Sequence, residues 1–290
     1  MISLQAPAKI NLAFEVLGQR ADGYREVRTV LAAIDIADEL ELSEADGLTL
    51  RVEPDGAAPA EDNLVLRAAL LLREAAAPGA GAAIVLRKRI PLAAGLGGGS
   101  SDAAAALLGL RQLWDLDLSD DTLAKLAALL GADVPFFLRG GTALASGRGE
   151  ELTPLPQPME GFAVVVSPEE PTEGKTARLY DMLGPQHFTD GGRTAVVARR
   201  IRDGVPLGRT LSNAFEAVAP LAYASYEPLR SAFAEAGASA MLSGAGPAMF
   251  ARAGGEAEAD GIAQRMVRAG YDARPVRLRS PWGIDGPSAG

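Results

Sequence analysis

The 290-residue chain contains no cysteine. Disulfides, thiolate nucleophiles and cysteine-based zinc or iron–sulfur centres are thereby excluded, and the chain suits a reducing compartment. Histidine occurs once, at His187, which excludes the H-E-x-x-H metalloproteases and the H-R-D loop of protein kinases. Positive charge is scarce: 28 Lys and Arg stand against 37 Asp and Glu, for a net charge of −9 and a pI of about 4.8. That is the opposite of the basic footprint of a nucleic-acid binder, so any anionic ligand must meet individually placed cations. Lysine is rare among the cations, occurring only at Lys9, Lys88, Lys125 and Lys175. Arginine fills the general surface role, which gives each lysine a claim on a specific one. Long apolar runs are missing too. The longest uncharged stretch, 236–251, has 16 residues broken by Gly and Pro, short of the ~20 apolar residues that span a bilayer. Lys9 interrupts the first apolar stretch, so the start does not read as a secretory signal, and a soluble cytoplasmic protein is expected.

What is present organises into two halves. Ile34, Ile36, Leu40 and Leu42, then Leu48, Leu50 and Val52, alternate with polar residues, the period of strands that pair antiparallel and keep one wet face. Asn63 caps a helix carrying Leu64, Ala68, Leu71 and Leu72; Ala83 to Ile90 returns to a strand. A helix follows over Asp102 to Trp114, and Ser119 caps another that Gly131 ends in the usual C-terminal fashion. Pro154, Pro156 and Pro158 mark a boundary. We therefore divide the chain into 1–157, 158–280 and a frayed tail, 281–290. In the second half, strands over Phe162 to Val166, Ala238 to Leu242, Ala248 to Ala253 and Ala273 to Leu278, with a helix over Glu256 to Ala269, spell the ferredoxin-like split β-α-β-β-α-β unit.

Three segments carry chemistry. The first is Pro91-Leu92-Ala93-Ala94-Gly95-Leu96-Gly97-Gly98-Gly99-Ser100-Ser101, between a predicted strand and a helix. Glycines let backbone approach a ligand, and a helix N-terminus offers unpaired N–H groups and a positive dipole end, which suit a polyphosphate. The hydroxyls of Ser100 and Ser101 could reach phosphate or its magnesium. The loop is neither a Walker A motif nor a dinucleotide fingerprint. The one Gly-Lys-Thr, at 174–176, has Glu169 where the leading Gly belongs and reads as coincidence. The second segment places Lys9 and Asn11 on one face of a strand. Turned inward, Lys9 needs a carboxylate or phosphate; on an edge, it is simply solvated. The third puts Asp133 between a helix end and the run Val134-Pro135-Phe136-Phe137, where a local backbone cap is its plain alternative.

In that order, and with Leu242-Ser243-Gly244-Ala245-Gly246-Pro247, these segments resemble the GHMP kinases, the superfamily of galacto-, homoserine, mevalonate and phosphomevalonate kinase. The resemblance covers nearly the whole chain. It implies an α+β, two-domain GHMP kinase fold: an N-terminal mixed sheet with helices, ribosomal protein S5 domain 2-like, and a C-terminal ferredoxin-like domain. It implies Lys9 and Asp133 as the catalytic pair, with ATP and Mg²⁺ as co-substrate and ion. ATP would be bound by Pro91 through Ser101, namely Pro91, Leu92, Ala93, Ala94, Gly95, Leu96, Gly97, Gly98, Gly99, Ser100 and Ser101, together with Asn63. The segments 18–24 (Gly-Gln-Arg-Ala-Asp-Gly-Tyr) and 61–64 (Glu-Asp-Asn-Leu) resemble the branch that phosphorylates the 2-hydroxyl of a cytidylated methylerythritol, a step toward isoprenoid precursors. The acceptor would then meet Asn11, Tyr24, Arg25, Tyr180 and Gly244. That branch usually has His after the Tyr; Arg25 stands there instead, and an arginine cannot accept a hydrogen bond. The rival readings are another GHMP kinase, of mevalonate or homoserine type, and a non-catalytic nucleotide-binding regulator.

Overall fold

Residues 1–54, 63–170 and 174–281 are described by a computed structural model of the chain. Two long strands, β1 (Ile2–Gln19) and β2 (Arg25–Glu44), pair antiparallel and form the spine of the larger, seven-stranded sheet. Residues 6–16 of β1 are buried without a break. Both of its faces are covered there, whereas the alternation read in 34–53 does keep one wet face: Leu40, Leu42 and Val52 are buried, Thr49 and Arg51 exposed, and Glu39 and Glu41 half-buried. Leu31, Ala33, Leu40 and Leu42 pack toward helices, while Ile10, Leu12, Val30, Ala32 and Ile34 meet Val165, Phe250 and Val276 of the second half. Period two still governs which side each residue takes.

β3 (Leu48–Glu53) pairs with β4 (Ala82–Arg87) in parallel, not antiparallel as the alternation suggested, and β4 then pairs antiparallel with β2. Helix α1 (Leu64–Ala76) lies between them in sequence, and a crossover through a helix returns the chain in the same direction. The next helix, α2 (Gly98–Leu113), starts four residues before the expected Asp102. Its first turn is made of Gly98, Gly99, Ser100 and Ser101, so the glycine run is partly helical. Ser119 caps α3 (Asp120–Leu130) through Thr122 N, at 3.2 Å. Gly131 ends it, as read, with extended backbone at φ 167°. A short α4 (Val134–Arg139) leads to the hairpin β5 (Thr142–Ser146) and β6 (Glu151–Leu155). Pro154 is tolerated in β6 because that strand pairs on one side only, with β5.

The second half contains β7 (Phe162–Val166), α5 (Lys175–Met182), α6 (Gly192–Arg202), β8 (Ser212–Asn213), α7 (Ala219–Ala222), α8 (Tyr226–Glu235), β9 (Ala240–Leu242), β10 (Met249–Ala253), α9 (Glu256–Arg268) and β11 (Ala273–Arg277). Its four-stranded sheet runs β11-β7-β10-β9 with every pair antiparallel, the order of the ferredoxin-like split unit. The fold is α+β, as expected. The two-residue β8 leaves this half and pairs parallel with β1, Ala13 opposite Ser212 and Phe14 opposite Asn213. Of the expected tail, 282–290 lies outside the described residues, as do Glu61, Asp62 and Thr172; Pro281 bridges to Gly140.

Candidate active site

The glycine loop is shaped by what surrounds it. Gly95 and Gly97 have φ of 84° and 75°, the left-handed region that favours glycine. A Cβ at Gly95 would lie 2.2 Å from Ser243 O, and one at Gly97 2.8 Å from the Phe137 ring and 3.1 Å from Lys9 Cγ. Gly98 and Gly99 are helical; without side chains they open the start of α2, with its unpaired N–H groups and positive dipole end, to a cavity of about 1100 Å³. Pro91, Leu92, Ala93, Ala94 and Ser100 also line that cavity. Leu96 and Ser101 do not: both are buried, and the Ser101 Oγ has no hydrogen-bond partner. Asn63 spends its Oδ1 on capping α1, accepting from Val65 N at 2.9 Å, and Leu64 beside it lines the cavity instead.

Lys9 enters the cavity from β1 and is 4% exposed. Its Nζ donates to Asn11 Oδ1 at 2.7 Å and Gly95 O at 2.9 Å, and lies 3.9 Å from Asp133 Oδ2. An ammonium has three N–H groups, so one remains for a ligand or for the carboxylate. Burial pulls the Lys9 pKa below its ordinary value, and the Asp133 charge works against that. Asp133 precedes α4 yet makes no capping bond, so the local-cap alternative does not hold. Asn11 lines the cavity as well, and its Nδ2 donates to Thr29 Oγ1 at 2.8 Å, which donates to Ala13 O at 2.6 Å. Its oxygen is thereby turned to Lys9. Gly244, at φ 54°, is close enough that a Cβ would sit 3.1 Å from Lys9 Nζ. The turn bearing it is bound to the glycine loop, Ser243 Oγ donating to Gly95 O at 3.0 Å and Ala248 N to Ala94 O at 3.0 Å.

Part of the cavity wall is aromatic. Tyr24 is 57% exposed, with the Arg148 guanidinium 4.9 Å over its ring. Tyr180, on α5, packs edge-on against Phe215 at 5.0 Å while lining the cavity, which makes it both a core residue and a wall. Burial, with the Asp133 charge adding and Arg25 opposing, pushes the Tyr180 hydroxyl well above the usual phenol range. Arg25 Nη2 donates to Tyr180 O at 3.3 Å, and its guanidinium lies 5.7 Å over Phe188.

Three cavity cations escaped the sequence reading: Arg148, Lys88 and Lys175. Lys88 Nζ sits 2.5 Å from Asp38 Oδ2 and 2.6 Å from Asp102 Oδ2, all three nearly buried. Burial, with Asp38 adding and Lys88 opposing, pushes the Asp102 carboxyl up to about 8. Burial acts to lower the Lys88 pKa, but the two carboxylates outweigh it and raise it. Lys88 thus stays charged beside a carboxyl, Asp102, whose ionised form burial disfavours. The available signal for Lys88 and Lys175 was the rarity of lysine; Arg148, one of many arginines, carried none.

Comparison with known proteins agrees with this geometry. The model of the GHMP kinases N terminal domain matches residues 63–141, and that of the GHMP kinases C terminal matches residues 195–273. A protein of Pelotomaculum thermopropionicum named 4-diphosphocytidyl-2-C-methyl-D-erythritol kinase is 42% identical over 287 residues, covering 97% of this chain and 99% of its own. One of the same name from Symbiobacterium thermophilum is 42% identical over 255 residues, covering 86% and 89%. A crystal structure of 4-(cytidine 5'-diphospho)-2C-methyl-D-erythritol kinase superposes with a TM-score of 0.80 at 36% identity, over 96% of this chain and 99% of that one. A homoserine kinase from Cytophaga hutchinsonii reaches 0.77 at 22% identity, over 97% and 95%, and shares the fold. At this identity and coverage, with the glycine loop, lysine and aspartate in one cavity, the chain belongs to the GHMP kinase family.

Proposed function

We propose that this protein transfers the γ-phosphoryl group of ATP to the 2-hydroxyl of 4-diphosphocytidyl-2-C-methyl-D-erythritol, in the non-mevalonate route to isoprenoid precursors. The observation that carries the reading is the meeting of Lys9 and Asp133, 3.9 Å apart, beside the glycine loop. Relatives of that name at 42% identity support the choice of acceptor. The start of α2 binds the triphosphate. Asp133 accepts the hydroxyl proton as the alcohol oxygen bonds to the γ-phosphorus and the bond to ADP breaks, while Lys9 stabilises the charge on the transferred group. Asn11 orients Lys9. Tyr24 and Tyr180 hold the cytosine, and Arg25, tied to Tyr180 O, ties their two elements together.

No group of three acidic or histidine side chains placed to hold a metal ion occurs among the described residues, so a divalent ion would arrive on the nucleotide and find single donors, the Ser100 hydroxyl first. Mg²⁺ so bound supplies charge neutralisation of the phosphates. The division into 1–157 and 158–280 and a cytoplasmic location belong to the same reading. The test is ATP consumption with a panel of alcohols. Turnover of the cytidylated methylerythritol, and none of mevalonate or homoserine, is expected. Preference for a free alcohol would assign another kinase of the family, and no turnover of any alcohol would leave a nucleotide-binding regulator.

A further inference from the structure

We infer that Lys175 is a phosphate-binding residue of this cavity, giving an N–H to a phosphate oxygen of a bound substrate. The inference rests on the kinase reading and adds a contact to it. Lys175 is the first residue of α5, after Gly174 at φ 61°, and is 8% exposed, an unusual degree of burial for a lysine. It lines the cavity, and its Nζ donates to Gly246 O. A neutral carbonyl does not balance an ammonium, and among the described residues no carboxylate lies within 4 Å of it. Its influential charged neighbour is another cation, Lys9: burial, then that like charge, pulls the Lys175 pKa down to about 7. Two buried lysines thus lie near enough to act on each other in a cavity where Asp133 is paired with Lys9 and Asp181 also lines the wall, in a chain whose net charge is −9. Such local excess of positive charge is stabilised when an anion enters.

Position narrows the anion. A Cβ on Gly95 would lie 3.0 Å from Gly246 O, the acceptor of the Lys175 bond, and Gly95 O is itself an acceptor for Lys9. The two ammonium groups therefore flank the seam where the glycine loop meets the 243–247 turn. Tyr180 follows on the same helix, about 7.5 Å along its axis from Lys175. A substrate with cytosine at Tyr180 and its alcohol at Asp133 carries its diphosphate between them, in the cavity that Lys175 lines from the same helix as Tyr180 and within electrostatic reach of Lys9. The γ-phosphate of ATP offers the same oxygen chemistry from the other side of the seam.

The test uses the full chain and four probes: cytidine, cytidine diphosphate, ADP and ATP. Isothermal calorimetry on Lys175→Met should show cytidine diphosphate weakened ~10- to 100-fold, the range for losing a charge-assisted hydrogen bond, with cytidine within about two-fold. A selective loss of ATP against ADP would support the same contact with the phosphoryl donor as its source. Equal losses for all four probes, or none, would overturn the inference. Wild-type protein that prefers neither cytidine diphosphate to cytidine nor ATP to ADP would instead overturn the kinase reading. Should the variant fail to fold, protection in the wild type decides. With four lysines in the chain, reductive methylation and peptide mapping isolate Lys175. Its labelling should fall with cytidine diphosphate or ATP and not with cytidine or ADP; labelling indifferent to all four rejects the contact.

Discussion

Asp133 stands where a helix cap would stand and does not cap. Its carboxylate, 39% exposed, faces a lysine that is 5% exposed, so one partner is wet enough to exchange protons with a substrate and the other is dry enough to act at full strength. Asp133→Asn removes the charge and the proton acceptor and little else. Turnover should fall by ~10²- to 10⁴-fold with ATP affinity and melting temperature retained. Steady-state kinetics within about ten-fold of wild type would reject Asp133 as the base. A second carboxyl behaves differently. Asp102 is raised from 3.8 to about 8 by burial first, so the native chain keeps a proton there that the unfolded chain loses. Its stabilising effect is complete below 3.8 and fades as pH climbs through about 8. Between pH 4 and pH 8 the melting temperature of wild type should therefore decline relative to Asp102→Asn, which cannot titrate. Parallel melting curves for the two proteins across that range would show that Asp102 holds no extra proton.

Elements decide what these side chains can reach. The β1–β2 turn brings Tyr24 and Arg25 to the cavity, and α5 brings Tyr180 from 155 residues further on, joined to Arg25 at 3.3 Å. A stacked base is worth ~1 to 3 kcal/mol, so Tyr24→Ala should weaken the cytidylated acceptor roughly ten- to a hundred-fold and leave ATP affinity unchanged. Calorimetry showing equal loss for both ligands would make Tyr24 structural. Arg25→Ala should also weaken the acceptor, through α5, since part of the guanidinium is engaged by Tyr180 O and Phe188. The glycine loop was readable before any fold was known, because three glycines and two serines ahead of a helical pattern leave few other uses. The start of α2 within that run was not, since glycine is a poor helix former by propensity and only the surrounding contacts hold it there. The direction of β3 was equally hidden: alternation gives the face of a strand and says nothing about its partner.

For the molecule as a whole, the site exists because the two halves share surfaces. β8 adds to the first sheet, and Asn213 at its end is 6% exposed. Asn213 Nδ2 donates to Leu242 O at 3.0 Å and Gly244 O at 2.8 Å, and its Oδ1 accepts from Phe215 N at 3.0 Å. One side chain thereby ties the sheet that carries Lys9 to the turn that covers it. Asn213→Ala leaves those groups unpaired and should cost at least ~1–3 kcal/mol in urea denaturation, with kcat/KM reduced as the turn loosens. Unchanged stability would mean that water replaces all three bonds. From local periodicity and a short motif the amino-acid sequence alone determined the split β-α-β unit and the glycine loop, while the two-domain fold class and Lys9 with Asp133 as a pair followed from the family resemblance that the ordered motifs carry. Only the tertiary structure decided that Lys175 in the discounted Gly-Lys-Thr faces the cavity, that Ser101 does not, and that Lys88 is caught between Asp38 and Asp102. The physical reason is that burial brings together groups far apart in the chain, as it does Lys9 and Lys175, 166 positions apart, and no pattern along the chain records which of them will share a dry space.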